Sequence, residues 1–119
     1  MSQDDCLFCR MVAGEVTVEK ILENQDFIAI RDIYPKAPVH ALVIPRFHID
    51  SLNDIGQASP ELCKGLLQFL VEVADSLGVK AAGYRVINNV GSGGGQVIFH
   101  LHWHLLSGAP VGFDMDSSL

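Results

Sequence analysis

The stretch FHLHWHLL, residues 99–106, places three of the chain's five histidines at every second position, with Leu101 and Trp103 between them. On a β-strand alternate side chains share a face. The spacing therefore predicts a strand on which His100, His102 and His104 point one way, and Leu101 and Trp103 point the other way into a helix layer. Neighbouring histidines would then stand about 6.6 Å apart and the outer two about 13 Å apart, from a rise of about 3.3 Å per residue. Two neighbours can share one metal ion at that spacing, but all three cannot without a bulge. A metal cage, a catalytic row and an accidental surface stripe remain open on the row alone.

The preceding loop bears on that choice. GSGGGQ (91–96) leaves glycine N–H groups free to approach an anion, although a mobile hairpin turn would read the same way. With a histidine row directly after it, the loop reads as a phosphate pocket beside a nucleophile. The neutral nitrogen of histidine attacks phosphorus well, and flanking imidazoles can orient it and move protons near neutral pH.

Working outward, VIFHLHWHLL (97–106) is the expected last strand and GYRVINN (83–89) the one before it. CLFCRMVAG reads as a short helix ended by Gly14. VEKILEN and DFIAIRD read as a hairpin turning at Asn24-Gln25, and VHALVIPR (39–46) as a buried strand. Ser59-Pro60-Glu61 opens a long helix: serine caps, proline suits the first helical position, and glutamate suits the positive end of the dipole. Leu62, Leu66, Leu70, Val73 and Leu77 form its apolar stripe and Gly78 ends it. Cys63, beside the stripe, reads as core filler. This order predicts an α+β domain with a five-stranded, mostly antiparallel sheet, one long and one short helix, and the helices on one face.

The chain has 119 residues, 49 % apolar and 18 % charged, which suits one packed domain over 1–119, with a core of about 5–108 and a C-terminal tail of 109–119. Its net charge of −6 gives no counterion-release affinity for nucleic acid. The start, MSQDDC, lacks the basic and apolar regions of a secretory signal, and no apolar run approaches the roughly 20 residues of a membrane span. Three cysteines, two of them only three apart, suit reduced thiols or metal ligands rather than a disulfide framework, so a cytoplasmic protein is expected.

GGGQVIFHLHWHLL resembles the signature of the histidine-triad (HIT) nucleotide-binding proteins, His-φ-His-φ-His-φ-φ with φ apolar, and RDIYPKAPVHALVIPRFHI (31–49) resembles that family's first-half motif. The resemblance runs from about Asp5 to Gly108 and is closest to the small Hint-type branch. It implies a HIT-like fold, a homodimer with two five-stranded sheets joined edge to edge, and a purine nucleoside monophosphate such as AMP or GMP as ligand. By the resemblance, His102 is the nucleophile that becomes nucleotidylated, His104 holds the phosphate and helps the leaving group depart, and His40 supports the site. Asp32 holds the ribose hydroxyls, Ile33 and Phe8 line the base pocket, and Asn89, Gly95 and the backbone of Val97 form the phosphate cradle. Many Hint-type members have serine at position 97. The valine here keeps the N–H but lacks a hydroxyl proton donor.

Plainer readings exist for single residues. Asp32 could be an Asx-turn residue, His40 and His48 satisfied core histidines, and Phe8 core. All five histidines nevertheless fall on the two motifs. CLFC is half of a common zinc-ligand spacing, and no βαβ pattern surrounds it to suggest a thioredoxin-like redox pair. Some bacterial members of the family complete such a pair with two histidines, which here correspond to His48 and His100. Four protein ligands leave zinc no open position, so Zn²⁺ on Cys6, Cys9, His48 and His100 would be structural. The expected activity is hydrolysis of a purine nucleoside phosphoramidate through a nucleotidyl-histidine. A dinucleoside polyphosphate hydrolase and a nucleotide-binding module with vestigial activity are the alternatives.

Overall fold

Asn24 starts the hairpin chemically: its side-chain oxygen accepts from the N–H groups of Asp26 and Phe27 at 2.9 and 2.8 Å, turning the chain at the expected place. In the computed structural model, which describes residues 5–108, the strands are β1 (Lys20–Glu23), β2 (Phe27–Arg31), β3 (Val39–Pro45), β4 (Arg85–Ile87) and β5 (Trp103–Ser107). The helices are α1 (Leu7–Val12) and α2 (Pro60–Ser76), with short 3₁₀ turns at Leu52–Gln57 and Ser92–Gly94. The tail expected at 109–119 lies outside the described residues. All five strands form one sheet in the order β1-β2-β3-β5-β4, and every pairing is antiparallel.

The central strands are apolar on both sides, and this decides the layering. Phe27, Ala29, Ala41, Val43 and Leu105 face α2 and pack with Leu66, Phe69, Leu70, Val73 and Ala74. Ile28, Ile30, Leu42 and Ile44 face the other way and pack with Cys6 and Phe8 from the α1 region. The helices therefore cover opposite faces of the sheet, which corrects the one-face expectation. A strand such as β3, buried along nearly all its length, cannot leave either side to water.

Helix α2 begins as its sequence indicates: the Ser59 hydroxyl accepts from the Leu62 N–H at 3.1 Å, and Pro60 occupies the first turn. Gly78, at φ 73°, takes the left-handed conformation that ends it. Its buried face is centred on Leu66, Phe69, Leu70, Val73 and Ala74, leaving Leu62 and Leu77 half-buried at the margins. Cys63 is also half-buried and lies outside both core clusters, so it is a flank residue rather than core filler.

The largest departure falls on the histidine row. The regular strand runs over Trp103–Ser107 where 97–106 is expected, starting six residues later and ending one beyond, and β4 covers only Arg85–Ile87 of the expected 83–89. The Leu101 N–H bonds the Ile49 carbonyl at 2.8 Å, and the His100 ring bonds the Pro45 carbonyl at 2.8 Å. These partners lie outside the β5 ladders and hold the chain in an irregular path. The three histidines therefore do not share one strand face; only His104 lies on β5. Among the described residues no helix is long and apolar enough to cross a membrane.

Phe69 is 1 % exposed and packs against Phe27 at a ring-centroid distance of 5.6 Å. Phe69→Ala should cost about 3–5 kcal/mol of unfolding free energy, because the cavity sits between sheet and helix where neither can close it. Urea unfolding checks this; a loss below about 1 kcal/mol would mean that the α2 layer repacks.

Candidate functional site

His40, on β3, fixes the protonation of its neighbours. The Lys36 N–H donates to His40 Nδ1 at 3.0 Å, so the neutral ring carries its proton on Nε2. That Nε2–H lies 2.9 Å from His104 Nδ1 and 3.4 Å from Asp32 Oδ2. His104 thus accepts at Nδ1, which places its own proton on Nε2. Burial holds the His40 pKa below its ordinary value; Asp32 opposes this and Lys36 reinforces it. Neutral His40 is the form this chain of hydrogen bonds requires.

His102 has the opposite polarity. Its Nδ1–H donates to the His100 carbonyl at 2.7 Å, leaving the lone pair on Nε2. Burial pushes its pKa down from the ordinary histidine value, more than the His100 carbonyl and Asp32 push it up. The Phe8 ring lies edge-on to His102 at 4.9 Å and to His100 at 5.9 Å, bracing both. The Asn88 amide donates to the His102 carbonyl at 2.8 Å. An imidazole held on several sides and neutral at physiological pH is a competent nucleophile or base.

His102 and His104 line a cavity of about 1000 Å³. Every residue expected at a nucleotide site lines the same cavity: Phe8, Asp32, Ile33, His40, Asn89, Gly95, Val97, His102 and His104. Asp32 also makes the Asx turn of its plainer reading, accepting from the Tyr34 N–H at 2.8 Å. That bond leaves its second oxygen beside His40. Gly95, at φ 88°, ends the glycine turn in a conformation that other residues rarely adopt. Ile33 and Val97 are 81 % and 84 % exposed, consistent with lining residues open to solvent until a ligand covers them.

A second cluster lies where His100 turns away. Cys6 Sγ, Cys9 Sγ, His48 Nδ1 and His100 Nδ1 all lie within 4.8 Å of one another. The far nitrogen of each ring is engaged: His100 Nε2–H donates to the Pro45 carbonyl, and His48 Nε2 lies 2.9 Å from Asp50 Oδ1. Both Nδ1 lone pairs therefore face the cluster, only 3.1 Å apart. Two facing lone pairs repel unless a proton or cation lies between them. Burial pushes the His100 pKa down to about 4, so a proton is poorly held there. Burial and the adjacent Cys6 push the Cys9 thiol up to about 11, a value that a bound divalent cation would reverse. Two sulfurs and two imidazoles, with outer partners on both imidazoles, form a donor set that could hold a metal ion.

Several contributors carry no sequence signal. Asp50 orients His48, Asn88 holds the His102 backbone, and Gln96 is buried against the glycine turn. Asn88 and Gln96 act through bonds to the main chain that any polar residue nearby could have made, and Asp50 acts on a ring two residues away through a pairing that no motif marks. Leu7, Met11 and Ile98 add apolar wall to the cavity and follow only from the placement of α1 against the sheet.

Residues 13–111 match the HIT domain family. The chain is 46 % identical over 102 residues to an uncharacterised HIT-like protein of Helicobacter pylori, covering 86 % of this chain and 95 % of that one. It is 31 % identical over 109 residues to a purine nucleoside phosphoramidase of Escherichia coli, covering 92 % of each. Its fold superposes on a HIT family hydrolase from Clostridium thermocellum with a TM-score of 0.88 and 37 % identity, covering 96 % of this chain and 99 % of that one. With the family match spanning most of its length, the chain belongs to the HIT family.

Proposed function

We propose that this protein hydrolyses the bond between a purine nucleoside monophosphate, AMP or GMP, and a small leaving group, as in an adenosine phosphoramidate. The observation that carries this reading is the 2.7 Å bond from His102 Nδ1–H to the His100 carbonyl, which leaves an unprotonated Nε2 in a cavity also lined by Gly95, Val97 and Asn89. The name of the Escherichia coli relative, purine nucleoside phosphoramidase, supports the substrate class.

In this mechanism the phosphate rests on the N–H groups of Gly95 and Val97 and on the Asn89 side chain, and Asp32 takes the ribose hydroxyls. His102 Nε2 attacks the α-phosphorus in line, forming a P–N bond as the bond to the leaving group breaks. His104 Nε2–H lies beside the phosphate and supports departure of the amine. Water then attacks the nucleotidyl-histidine, the P–N bond to His102 breaks, and the monophosphate leaves. The charge developing on phosphorus is met by oriented hydrogen bonds. His40 keeps His104 in the donor tautomer throughout.

The same reading makes Cys6, Cys9, His48 and His100 a structural Zn²⁺ site: four protein ligands close the coordination sphere and steady the α1 region against the sheet. Thiols reserved for a metal suit a reducing compartment such as the cytoplasm. A homodimer completes it. Leu67 and Val71 are exposed on α2, Val86 is exposed on β4, and β4 is an edge strand, so apolar helix surface and unpaired backbone are both offered to a second copy.

His102→Ala should bind AMP within a few-fold of the unsubstituted protein yet lose at least about 10³-fold in turnover, because binding uses the cradle and Asp32 while chemistry uses Nε2. Intact mass of His104→Ala mixed with adenosine phosphoramidate should show a nucleotidyl adduct. Near-normal hydrolysis by His102→Ala would refute the assignment. For the metal, Cys6→Ser should lower zinc content and Tm while turnover at saturating substrate largely persists; complete loss of turnover at unchanged Tm would make the metal catalytic instead. Light scattering at micromolar concentration should return twice the 12.9 kDa chain mass, and a monomer would remove the dimer from this reading.

A further inference from the structure

Gln96 joins the two sites through one buried amide. It is 4 % exposed. Its Oε1 accepts from the Gly91 N–H at 2.8 Å, and its Nε2 donates to the Asp50 carbonyl at 2.7 Å and the Ile98 carbonyl at 3.0 Å. Its own N–H donates to the Gly91 carbonyl at 2.9 Å. Both side-chain hydrogens are used, and the amide clamps the first residue of the glycine turn from outside while Gly95 lines the cavity at its other end.

The far end of this clamp belongs to the metal-ligand segment. Asp50, whose carbonyl Gln96 binds, also holds His48 Nε2 through its carboxylate. A second strut runs parallel: the Leu101 N–H binds the Ile49 carbonyl, next to His100, whose own carbonyl orients His102. Segment 48–50 thus contacts both the glycine turn and the histidine row. A continuous path of hydrogen bonds therefore runs from His48 Nε2 through the Asp50 carboxylate and carbonyl to the Gln96 amide and the Gly91 N–H.

We infer that Gln96 is a positioning residue that couples the anion cradle to the Cys6–Cys9–His48–His100 cluster, so that phosphate binding at the one and metal binding at the other strengthen each other. This rests on the nucleotide and metal readings above. Chemistry favours the residue type: the position needs two donors and one acceptor in a neutral, planar group. Glutamate would aim a carboxylate at two carbonyls, and lysine would bury a charge. Coupling of this kind is reciprocal by thermodynamic necessity.

Calorimetry on the zinc-loaded and the chelator-treated protein tests the linkage without any substitution. AMP should bind about tenfold more weakly to the chelator-treated form, and saturating AMP should tighten zinc binding by the same factor. Gln96→Ala should weaken AMP about tenfold in the zinc-loaded protein, make AMP affinity insensitive to zinc, and leave adenosine, which has no phosphate, bound as before. Gln96→Glu should show the same AMP-against-adenosine split. Equal AMP affinity with and without zinc in the unsubstituted protein overturns the inference, as does equal weakening of AMP and adenosine in both variants. Failure of the unsubstituted, zinc-loaded protein to bind AMP at all overturns the nucleotide reading itself, and the inference with it.

Discussion

The hydrogen bond from His102 Nδ1 to the His100 carbonyl fixes one ring by the backbone of a residue whose own ring faces elsewhere. The chain runs outside regular strand geometry between 96 and 102, and both rings pack edge-on against Phe8. The bonds of Leu101 to Ile49 and of His100 to Pro45 hold that irregular path. One short segment thereby serves two sites: the His100 ring joins the cysteines, and the His102 ring joins the cavity. The proton arrangement follows from the same geometry, since His40, His48, His100 and His102 each have one nitrogen tied to a backbone or carboxylate partner, and His104 is set by the His40 ring.

A sheet buried on both faces makes the division possible. The α2 face carries the larger apolar cluster and supplies stability through aromatic and aliphatic packing. The α1 face carries a smaller cluster, and the cavity opens beside it. Helix α1 is only six residues long, too short to be stable alone, so its position depends on tertiary contacts. Phe8 provides one contact by packing against His100 and His102, and Cys6 and Cys9 flank it at the second cluster. The helix that forms one wall of the cavity is thus anchored by side chains that also brace the histidines.

The periodic features were legible in the sequence. The Ser59-Pro60 start, the Gly78 stop, the Asn24 turn and the succession of elements along the chain all follow from local rules that tertiary contacts did not override. The residues that the family resemblance implies at a nucleotide site are brought to one cavity, and those that it implies at a metal site to one cluster, whereas single residues such as Asp32 or Phe8 carried no spacing signal of their own. What failed rested on periodicity in a place where long-range bonds win. Alternation across 97–104 reads as a strand, yet the partners of 100 and 101 lie about fifty positions away and cannot be seen locally. The apolar, two-sided character of β3 is visible in the sequence, but which elements cover each face depends on packing between distant segments. Gln96, Asp50 and Asn88 were invisible for a simpler reason: each acts on main-chain groups or on a single ring, and no spacing rule marks such contacts.

A net charge of −6 opposes a phosphorylated ligand at long range, but the local field of the cavity differs from the global one. Lys36 and Arg31 line the cavity, but burial lowers the pKa of His40 and of His102, so the cavity holds less fixed positive charge than its histidines suggest. Backbone N–H groups at a glycine turn and oriented imidazole N–H groups can meet an anion without any net charge. In the proposed reaction this arrangement has a kinetic advantage as well as a binding one. A cationic His102 would hold the phosphate tightly but have no lone pair with which to attack it. Burial lowers its pKa and so favours nucleophilicity over charge, and the oriented dipoles around it recover the attraction that the lost charge would have provided.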